Sequence, residues 1–286
     1  MSLLPDEKPG EPNPADDGVS PHAQTDQSPA YPSPVNVLGN EIAAVTSPYP
    51  PWNGWDVLAM VLVFVTAFFG LIFIAVRFTS GATSQQRFDR FASMPELAIG
   101  VQAIAELILL GTMFLVVAGR TGNANLWKAV NWCWPPKIWG YVALGFLMQI
   151  AVVVAGQFLP FPANTPFDAL LKRTNGLIVV GVFSVTLGPL VEELLFRGFL
   201  YPLVRKYAGV WPAIIGTALP FGLMHLAQYG YSWASAMLIV VVGIVLASVR
   251  ERTNSLAASF VVHVAYNGLS VAAMFAVTDG FRHLKT

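Results

Sequence analysis

Two adjacent glutamates lie inside one of the most apolar stretches of the chain. Glu192 and Glu193 are followed by three apolar residues and then by Arg197. A charged side chain at bilayer depth costs roughly 2.5 to 3.5 kcal/mol on insertion scales, so such residues are rare and usually functional. A desolvated carboxylate at this depth could take a proton from water, which is the first step of a hydrolysis.

Helical geometry separates the two glutamates. Glu193 and Arg197 are four residues apart with the acid first, which is the favoured order for an ion pair on a helix. Glu192 is turned about 100° away by the helical repeat and lacks that partner. The spacing therefore predicts that Arg197 neutralises Glu193, while Glu192 faces the interior of a helix bundle.

A histidine on the following segment lies at the same height as Glu192. Residues around Gly209 indicate a hairpin turn, and Glu192 lies 17 residues before Gly209 while His225 lies 16 after it. In two antiparallel helices both side chains are then about 25 Å from the turn, so the carboxylate and the imidazole can meet. Pro220, about one turn before His225, is expected to kink this helix and open room for water or substrate.

A second histidine and an asparagine complete the polar set. His263 and Asn267 are four residues apart, so both project from one face of the last apolar segment. Neutral imidazoles can orient water or hold a metal, and an amide can donate a hydrogen bond to an oxyanion. Two histidines and one carboxylate are also enough ligands for a catalytic zinc, and the sequence leaves open whether a metal is used.

The elements that would carry these residues are membrane helices. Hydrophobic residues make up 55% of the 286 residues and charged residues 11%, against about 25% charged in soluble proteins. We predict an all-α, polytopic membrane helix bundle of about seven transmembrane helices. Tryptophans such as Trp52, Trp55, Trp139 and Trp211 lie near segment ends, as an interfacial belt predicts. The predicted spans are 57–76, 97–118, 138–159, 177–204, 211–229, 232–249 and 255–277.

The first 50 residues differ in composition from the rest. They contain ten of the 21 prolines and seven acidic residues against the single Lys8, which predicts a disordered, Pro-rich acidic tail. We predict accessory transmembrane helices over 51–164 and a catalytic transmembrane core over 165–286. With one cysteine, Cys133, the chain forms no internal disulfide and no cysteine-ligated zinc site.

Two further features lie outside the main polar set. Gln102 and Glu106 are four apart and share one helix face, where they either line a cavity or bond a neighbouring helix. Residues 167–173 are expected to form a short amphipathic interfacial piece. The basic balance of the chain beyond the tail suits anionic lipid and gives no reason to expect nucleic acid.

The three polar clusters resemble those of a known protease family. The chain carries an EExxxR motif at residues 192–197, an FxxxH motif from Phe221 to His225 and an HxxxN motif from His263 to Asn267. In this order they resemble the type II CAAX prenyl endopeptidase and bacteriocin-processing family, the CPBP intramembrane proteases. The resemblance covers roughly residues 165 to 280.

The resemblance implies a membrane endopeptidase that cuts a peptide bond within or beside the membrane. By similarity, Glu192 would be the general base on water, and His225 and His263 would bind a possible zinc or orient the water. Asn267 would support the oxyanion. The expected partners are membrane lipid and a membrane-associated peptide or protein substrate, and the expected location is a bacterial inner membrane. Residues expected to support the site are Glu193, Arg197 and Phe221.

Two other functions would use residues of this polar set. One is a non-catalytic membrane scaffold or bacteriocin-immunity protein that binds a peptide there. The other is a proton-coupled transporter with a relay through Glu106, Glu192 and His225. The chain shows no internal repeat of the kind found in many transporters, so the endopeptidase is the leading hypothesis.

Overall fold

A computed structural model describes residues 50–162, 165–166, 168, 174–278 and 280. All regular secondary structure in these residues is helical, which confirms the predicted all-α class. A π-helical segment, Leu194–Leu200, follows the seventh α-helix directly. The α-helices are α1 (Gly54–Phe78), α2 (Ser84–Ala92), α3 (Pro95–Thr121), α4 (Leu126–Ala129), α5 (Ile138–Gly156), α6 (Thr174–Val185), α7 (Leu187–Glu193), α8 (Tyr201–Ala208), α9 (Val210–Met224), α10 (Trp233–Thr253) and α11 (Leu256–Val277).

The predicted membrane bundle is confirmed. Six helical stretches are long and apolar enough to cross a membrane, namely α1, α3, α5, the stretch from α6 to α8, α10 and α11. A seventh apolar helix, α9, is shorter at 15 residues. At 1.5 Å per residue it extends about 22 Å, less than the roughly 30 Å of hydrocarbon in a bilayer.

The fourth predicted span, 177–204, is not one continuous α-helix. It breaks at Thr186, between α6 and α7, because Pro189 has no N–H to donate and its ring crowds the carbonyl of Val185. Helix α7 begins directly after the break and ends with the two glutamates.

The π-helical segment leaves carbonyl groups that side chains satisfy. The carbonyl of Arg197 accepts from Arg250 Nε at 3.3 Å, and that of Phe199 accepts from Trp52 Nε1 at 3.0 Å. Such π segments are rare and often lie at functional sites. The interpretation of Trp52 as a residue of the interfacial belt is wrong, because it is 2% exposed and its ring packs on Phe199. Trp55, by contrast, is 77% exposed.

The predicted hairpin between α8 and α9 is confirmed, but α9 ends earlier than the predicted span 211–229. Gly209 alone separates the two helices, with a φ of +86° that favours glycine. At the other end His225 is the C-cap residue, and residues 225–231 form turns. The His225 N–H bonds to the Gly222 carbonyl, so the last turn tightens soon after Pro220.

Small residues bring the helices that carry the motifs close together. A Cβ added to Gly145 on α5 would lie 2.5 Å from the Val262 carbonyl oxygen on α11. Added to Gly222 on α9, it would collide with Val240 on α10. Close backbone approach at small residues is the usual way that membrane helices pack. The glycines therefore let α5 pack closely on α11 and α9 pack closely on α10.

Two predicted segments fall outside the part of the chain that the structure describes. The predicted disordered tail lies there except for Pro50, and the amphipathic piece over 167–173 lies there except for Asp168. The division into accessory helices and a catalytic core stays a prediction.

Candidate active site

Glu193 is the centre of a closed network of hydrogen bonds. Its side chain and that of Arg197 are both fully buried, and Arg197 Nη1 donates to Glu193 Oε1 at 2.9 Å, which confirms the predicted ion pair. Ser259 Oγ donates to Glu193 Oε2 at 2.5 Å, and His263 Nδ1 bonds to Oε1 at 3.0 Å. Three donors from two parts of the chain thus compensate one buried carboxylate.

Arg197 is itself held from two further sides. Its Nη2 donates to the carbonyl of Gly243 on α10 at 3.0 Å. Its guanidinium carbon lies 4.4 Å from the centre of the Phe221 ring, a cation–π arrangement with α9. The ion pair of the EExxxR motif therefore ties α7 and the π-helical segment to three other helices.

Glu192 faces the other side and meets both histidines. Its Oε1 lies 3.9 Å from His225 Nε2, and its Oε2 lies 3.6 Å from His263 Nε2. The prediction that Glu192 and His225 lie at matched height is confirmed by the first distance. The order of residues in the chain could not establish whether His263 lies near Glu192. In the structure its imidazole also reaches this carboxylate.

The two imidazoles present the same kind of atom to Glu192. His225 Nδ1 lies 2.8 Å from the Phe221 carbonyl oxygen, which only accepts, so we assign the proton to Nδ1. His263 Nδ1 likewise donates to the Glu193 carboxylate. In each neutral ring, Nε2 then carries a lone pair that faces Glu192.

The early end of α9 makes the His225 bond possible. The His225 N–H bonds to Gly222, so the carbonyl of Phe221 is left to accept from the imidazole of the same residue. The Phe221 ring, 1% exposed, lies 5.2 Å from the His225 ring and 5.8 Å from the His263 ring. Phe221 thus contacts both histidines and Arg197 at once.

Asn267 is near the site but bonded elsewhere. Its Nδ2 donates to the Ser184 carbonyl at 2.7 Å, two residues before the helix break at Thr186. A side-chain amide has two N–H bonds, so this contact leaves a second donor. The predicted oxyanion role stays a prediction.

Sequence reasoning missed Ser259, although a spacing signal was present. Ser259, His263 and Asn267 follow one another at intervals of four, so they share one face of α11. Ser259 is fully buried and also lies 3.1 Å from the Leu246 carbonyl. Serine is common in membrane helices, so the type of residue alone gave no signal.

Three hydrogen-bond acceptors converge at Glu192. An ionised carboxylate and two Nε2 lone pairs repel one another unless a proton, a water or a cation lies among them. Polar atoms separated by more than 3.5 Å are commonly bridged by water. The arrangement is therefore suited to holding and polarising a water molecule.

The donor types at the site also suit zinc, since neutral imidazoles and a carboxylate are common zinc ligands. Yet the described residues contain no group of three or more His, Cys, Asp or Glu side chains placed to hold a metal ion. We therefore derive no step through a metal, and zinc at His225 and His263 stays a prediction.

A cavity of about 290 Å³ lies between α5, α10 and α11. Its walls are mainly apolar, with the polar side chains of Gln157, Tyr229, Ser235 and Tyr266 among them. The backbone N–H of Tyr229 donates to the His225 carbonyl at 3.3 Å. The cavity thus borders the site, on the side of the turns that follow α9.

Comparison with known families agrees with the motifs. Residues 174–269, about a third of the chain, match the family model described as type II CAAX prenyl endopeptidase Rce1-like. Searches among curated proteins and among solved structures found no match. The match and the six candidate membrane spans indicate an integral membrane protein of the protease kind. The predicted resemblance is therefore confirmed for residues 174–269, which are similar to the type II CAAX prenyl endopeptidases.

Proposed function

We propose that this protein is an intramembrane endopeptidase that hydrolyses a peptide bond in or near the membrane with water activated by Glu192. The observation that carries the proposal is the position of the Glu192 carboxylate, 3.9 Å and 3.6 Å from two imidazole nitrogens that carry lone pairs. The family match over residues 174–269 supports the same class of reaction.

In the proposed reaction, a water molecule donates one hydrogen bond to Glu192, and its other hydrogen is shared between the Nε2 atoms of His225 and His263. Glu192 takes one proton from the water as the water oxygen attacks the carbonyl carbon of the peptide bond. The carbonyl oxygen becomes an oxyanion. Glu192 then gives the proton to the leaving nitrogen, so that cleavage produces a carboxylic acid and an amine, and the acid afterwards loses its proton to solvent.

The surrounding residues have distinct roles in this proposal. His225 and His263 orient the water through Nε2, and their Nδ1 bonds to Phe221 and Glu193 fix the rings. The second N–H of Asn267 is available to the oxyanion. Removing one oxyanion donor typically lowers kcat by about 100- to 1,000-fold, so Asn267→Ala tests this role.

Zinc held by His225 and His263 is the metal-dependent version of the proposal. When bound, zinc would lower the pKa of its water and polarise the peptide carbonyl. Elemental analysis of the purified protein, with His263→Ala as the comparison, tests this version. Zinc in the wild type and its loss in the variant would support it.

The proposed substrate is a membrane-associated peptide or protein. The cavity beside the site is mainly apolar, which suits apolar side chains next to the cleaved bond. Large apolar side chains also cover much of the outer surface of α1 and α5, as contact with lipid requires. By the resemblance to bacteriocin-processing proteases, we propose a bacterial inner membrane as its location.

Cleavage of quenched membrane-peptide substrates by the purified full chain tests the proposal. Wild type should cleave, and Glu192→Gln and His225→Ala should lose at least about 100-fold in rate, the usual contribution of a general base. Glu96→Gln on α3 is the matched control and should cleave like wild type.

The same assay distinguishes a binding-only protein. A scaffold or immunity factor would bind the peptide and leave it intact, and Glu192→Gln would not change its biological effect. Cleavage by Glu192→Gln at the wild-type rate would reject Glu192 as the base.

A further inference from the structure

A third buried glutamate lies on α3, outside the segment that matches the protease family. Glu106 is 4% exposed, and Gln102 Nε2 donates to its Oε1 at 3.0 Å. Its other oxygen, Oε2, is buried and has no hydrogen-bond partner in the described part of the chain. Half of this carboxyl group is thus satisfied within its own helix and half is not.

The hydrogen bond from Gln102 indicates which oxygen carries a proton. We assign Glu106 as a neutral carboxylic acid because it is buried without a cationic partner in the described residues, and we assign its proton to Oε2 because Oε1 accepts from the Gln102 amide. An ionised carboxylate buried without a cation costs far more than a neutral one. Within the described part of the chain, no hydrogen bond links Glu106 to a neighbouring helix, so the pair does not join helices as structural glue would.

The position of Glu106 places this hydroxyl near the base. Helix α3 packs against α7, and Leu109, one turn after Glu106, belongs to the same apolar cluster as Val191 and Leu194. Residues three apart lie on one face of a helix, so Glu106 approaches α7 near Glu192.

We propose that Glu106 is a positioning residue for Glu192, whose Oε2 hydroxyl donates through one bridging water to the Glu192 carboxylate and holds it towards the two histidines. The role rests on the proposed function of Glu192. The bridge is a water because Oε2 has no protein acceptor within hydrogen-bond distance in the described residues, and a buried hydroxyl is stabilised by finding one.

This proposal gives an accessory helix a part in the chemistry. In this arrangement Glu106 holds the Glu192 carboxylate from the side of α3, and the imidazoles of His225 and His263 face it from the other side. Without the Glu106 hydroxyl, the Glu192 carboxylate would lose this hydrogen bond and would be free to rotate. Loss of Glu106 should therefore slow the chemical step and leave substrate binding unchanged.

Infrared difference spectroscopy of the full chain in lipid tests the contact without depending on activity. We expect a C=O band of a protonated carboxylic acid that disappears in Glu106→Gln and shifts in frequency in Glu192→Gln. Glu96→Gln, on the same helix, should leave it unchanged. Absence of such a band, or a band that Glu192→Gln does not move, would overturn the proposal.

Kinetics of peptide cleavage give the second readout. Glu106→Leu should lower kcat by roughly tenfold to 100-fold with an unchanged KM, the size expected for one hydrogen bond to a charged group. Glu106→Gln keeps an N–H donor in place of the hydroxyl and should restore most of kcat. Glu96→Leu controls for the loss of an acid from α3.

The two proposals fail in different ways. Wild-type kcat in Glu106→Leu, together with an inactive Glu192→Gln, would overturn the role of Glu106 alone. A wild-type protein that cleaves nothing would overturn the proposed function, and the infrared bands would still decide whether Glu106 contacts Glu192.

Discussion

Glu192 and Glu193 are neighbours in sequence but have opposite surroundings. Glu193 is fully buried and accepts hydrogen bonds from Arg197, Ser259 and His263. Glu192 is 15% exposed and faces the lone-pair sides of two imidazoles, at distances too long for direct hydrogen bonds. The charge of Glu193 is compensated by hydrogen bonds, whereas the oxygens of Glu192 can still accept them.

The difference teaches how one helix can supply both structure and chemistry. A buried charge is stable when it is paired and hydrogen-bonded, and the Glu193 side of α7 meets that condition. Through His263, the same closed network fixes one ring that faces Glu192. The hydrogen-bonded Glu193 side of α7 therefore helps to orient the His263 ring that faces Glu192. Stability measurements on the first and activity measurements on the second should separate the two.

Removal of Glu193 should have the largest effect on stability. Glu193→Ala leaves Arg197 buried without its acid, which we expect to lower the free energy of unfolding by about 3 to 5 kcal/mol. Reversible unfolding in mixed micelles measures this, with Glu192→Ala as the matched control at the next position. Equal losses of unfolding free energy in the two variants would contradict the proposed difference between Glu193 and Glu192.

Ser259 should have the next largest effect. Ser259→Ala removes a hydrogen bond to the buried carboxylate, and such bonds to charged groups contribute about 1.5 to 3 kcal/mol. Ser235→Ala is the control, because Ser235 is also buried but its hydroxyl has no partner in the described residues. Because an unpartnered buried hydroxyl does not stabilise the fold, Ser235→Ala should not lower the free energy of unfolding. A loss in Ser235→Ala equal to that in Ser259→Ala would contradict the account.

Removal of a hydrogen bond to the π-helical segment that carries Arg197 should have a smaller effect on the free energy of unfolding. Trp52→Phe removes the hydrogen bond to the Phe199 carbonyl and keeps most of the ring packing. We expect a loss of about 0.5 to 1.5 kcal/mol in the free energy of unfolding. Trp55→Phe, at an exposed position, should change nothing. No difference between the two variants would show that the carbonyl is satisfied in another way.

An exposed ion pair should have the smallest effect. Arg205 Nε lies 2.7 Å from Glu251 Oε2, with side chains that are 50% and 23% exposed. Arg205→Gln should cost no more than about 1 kcal/mol, because water and salt screen such pairs. A loss as large as that of Glu193→Ala would mean that burial does not separate the two ion pairs.

The sequence predicted those parts of the site that follow from helical repeats. The pairing of Glu193 with Arg197 and the matched height of Glu192 and His225 both depend on residue spacing alone. Ser259 also lay on the predicted face of α11, but a serine in a membrane helix has many uses.

The remaining features depend on contacts between distant parts of the chain. The early end of α9, the π-helical segment and the burial of Trp52 arise from packing that no local pattern encodes. A tryptophan near the end of a span has the same sequence signature whether it faces lipid headgroups or packs on Phe199. The helix break at Thr186 did have a local signal, since Pro189 follows three residues later.

Peptide cleavage in ¹⁸O-labelled water by wild type and Glu192→Gln, side by side, tests the central claim most directly. We expect the new carboxylate of the wild-type product to carry the label. The variant should unfold like wild type and yield at least about 100-fold less product per unit time. Unlabelled product, or equal rates from both proteins, would contradict hydrolysis by Glu192-activated water.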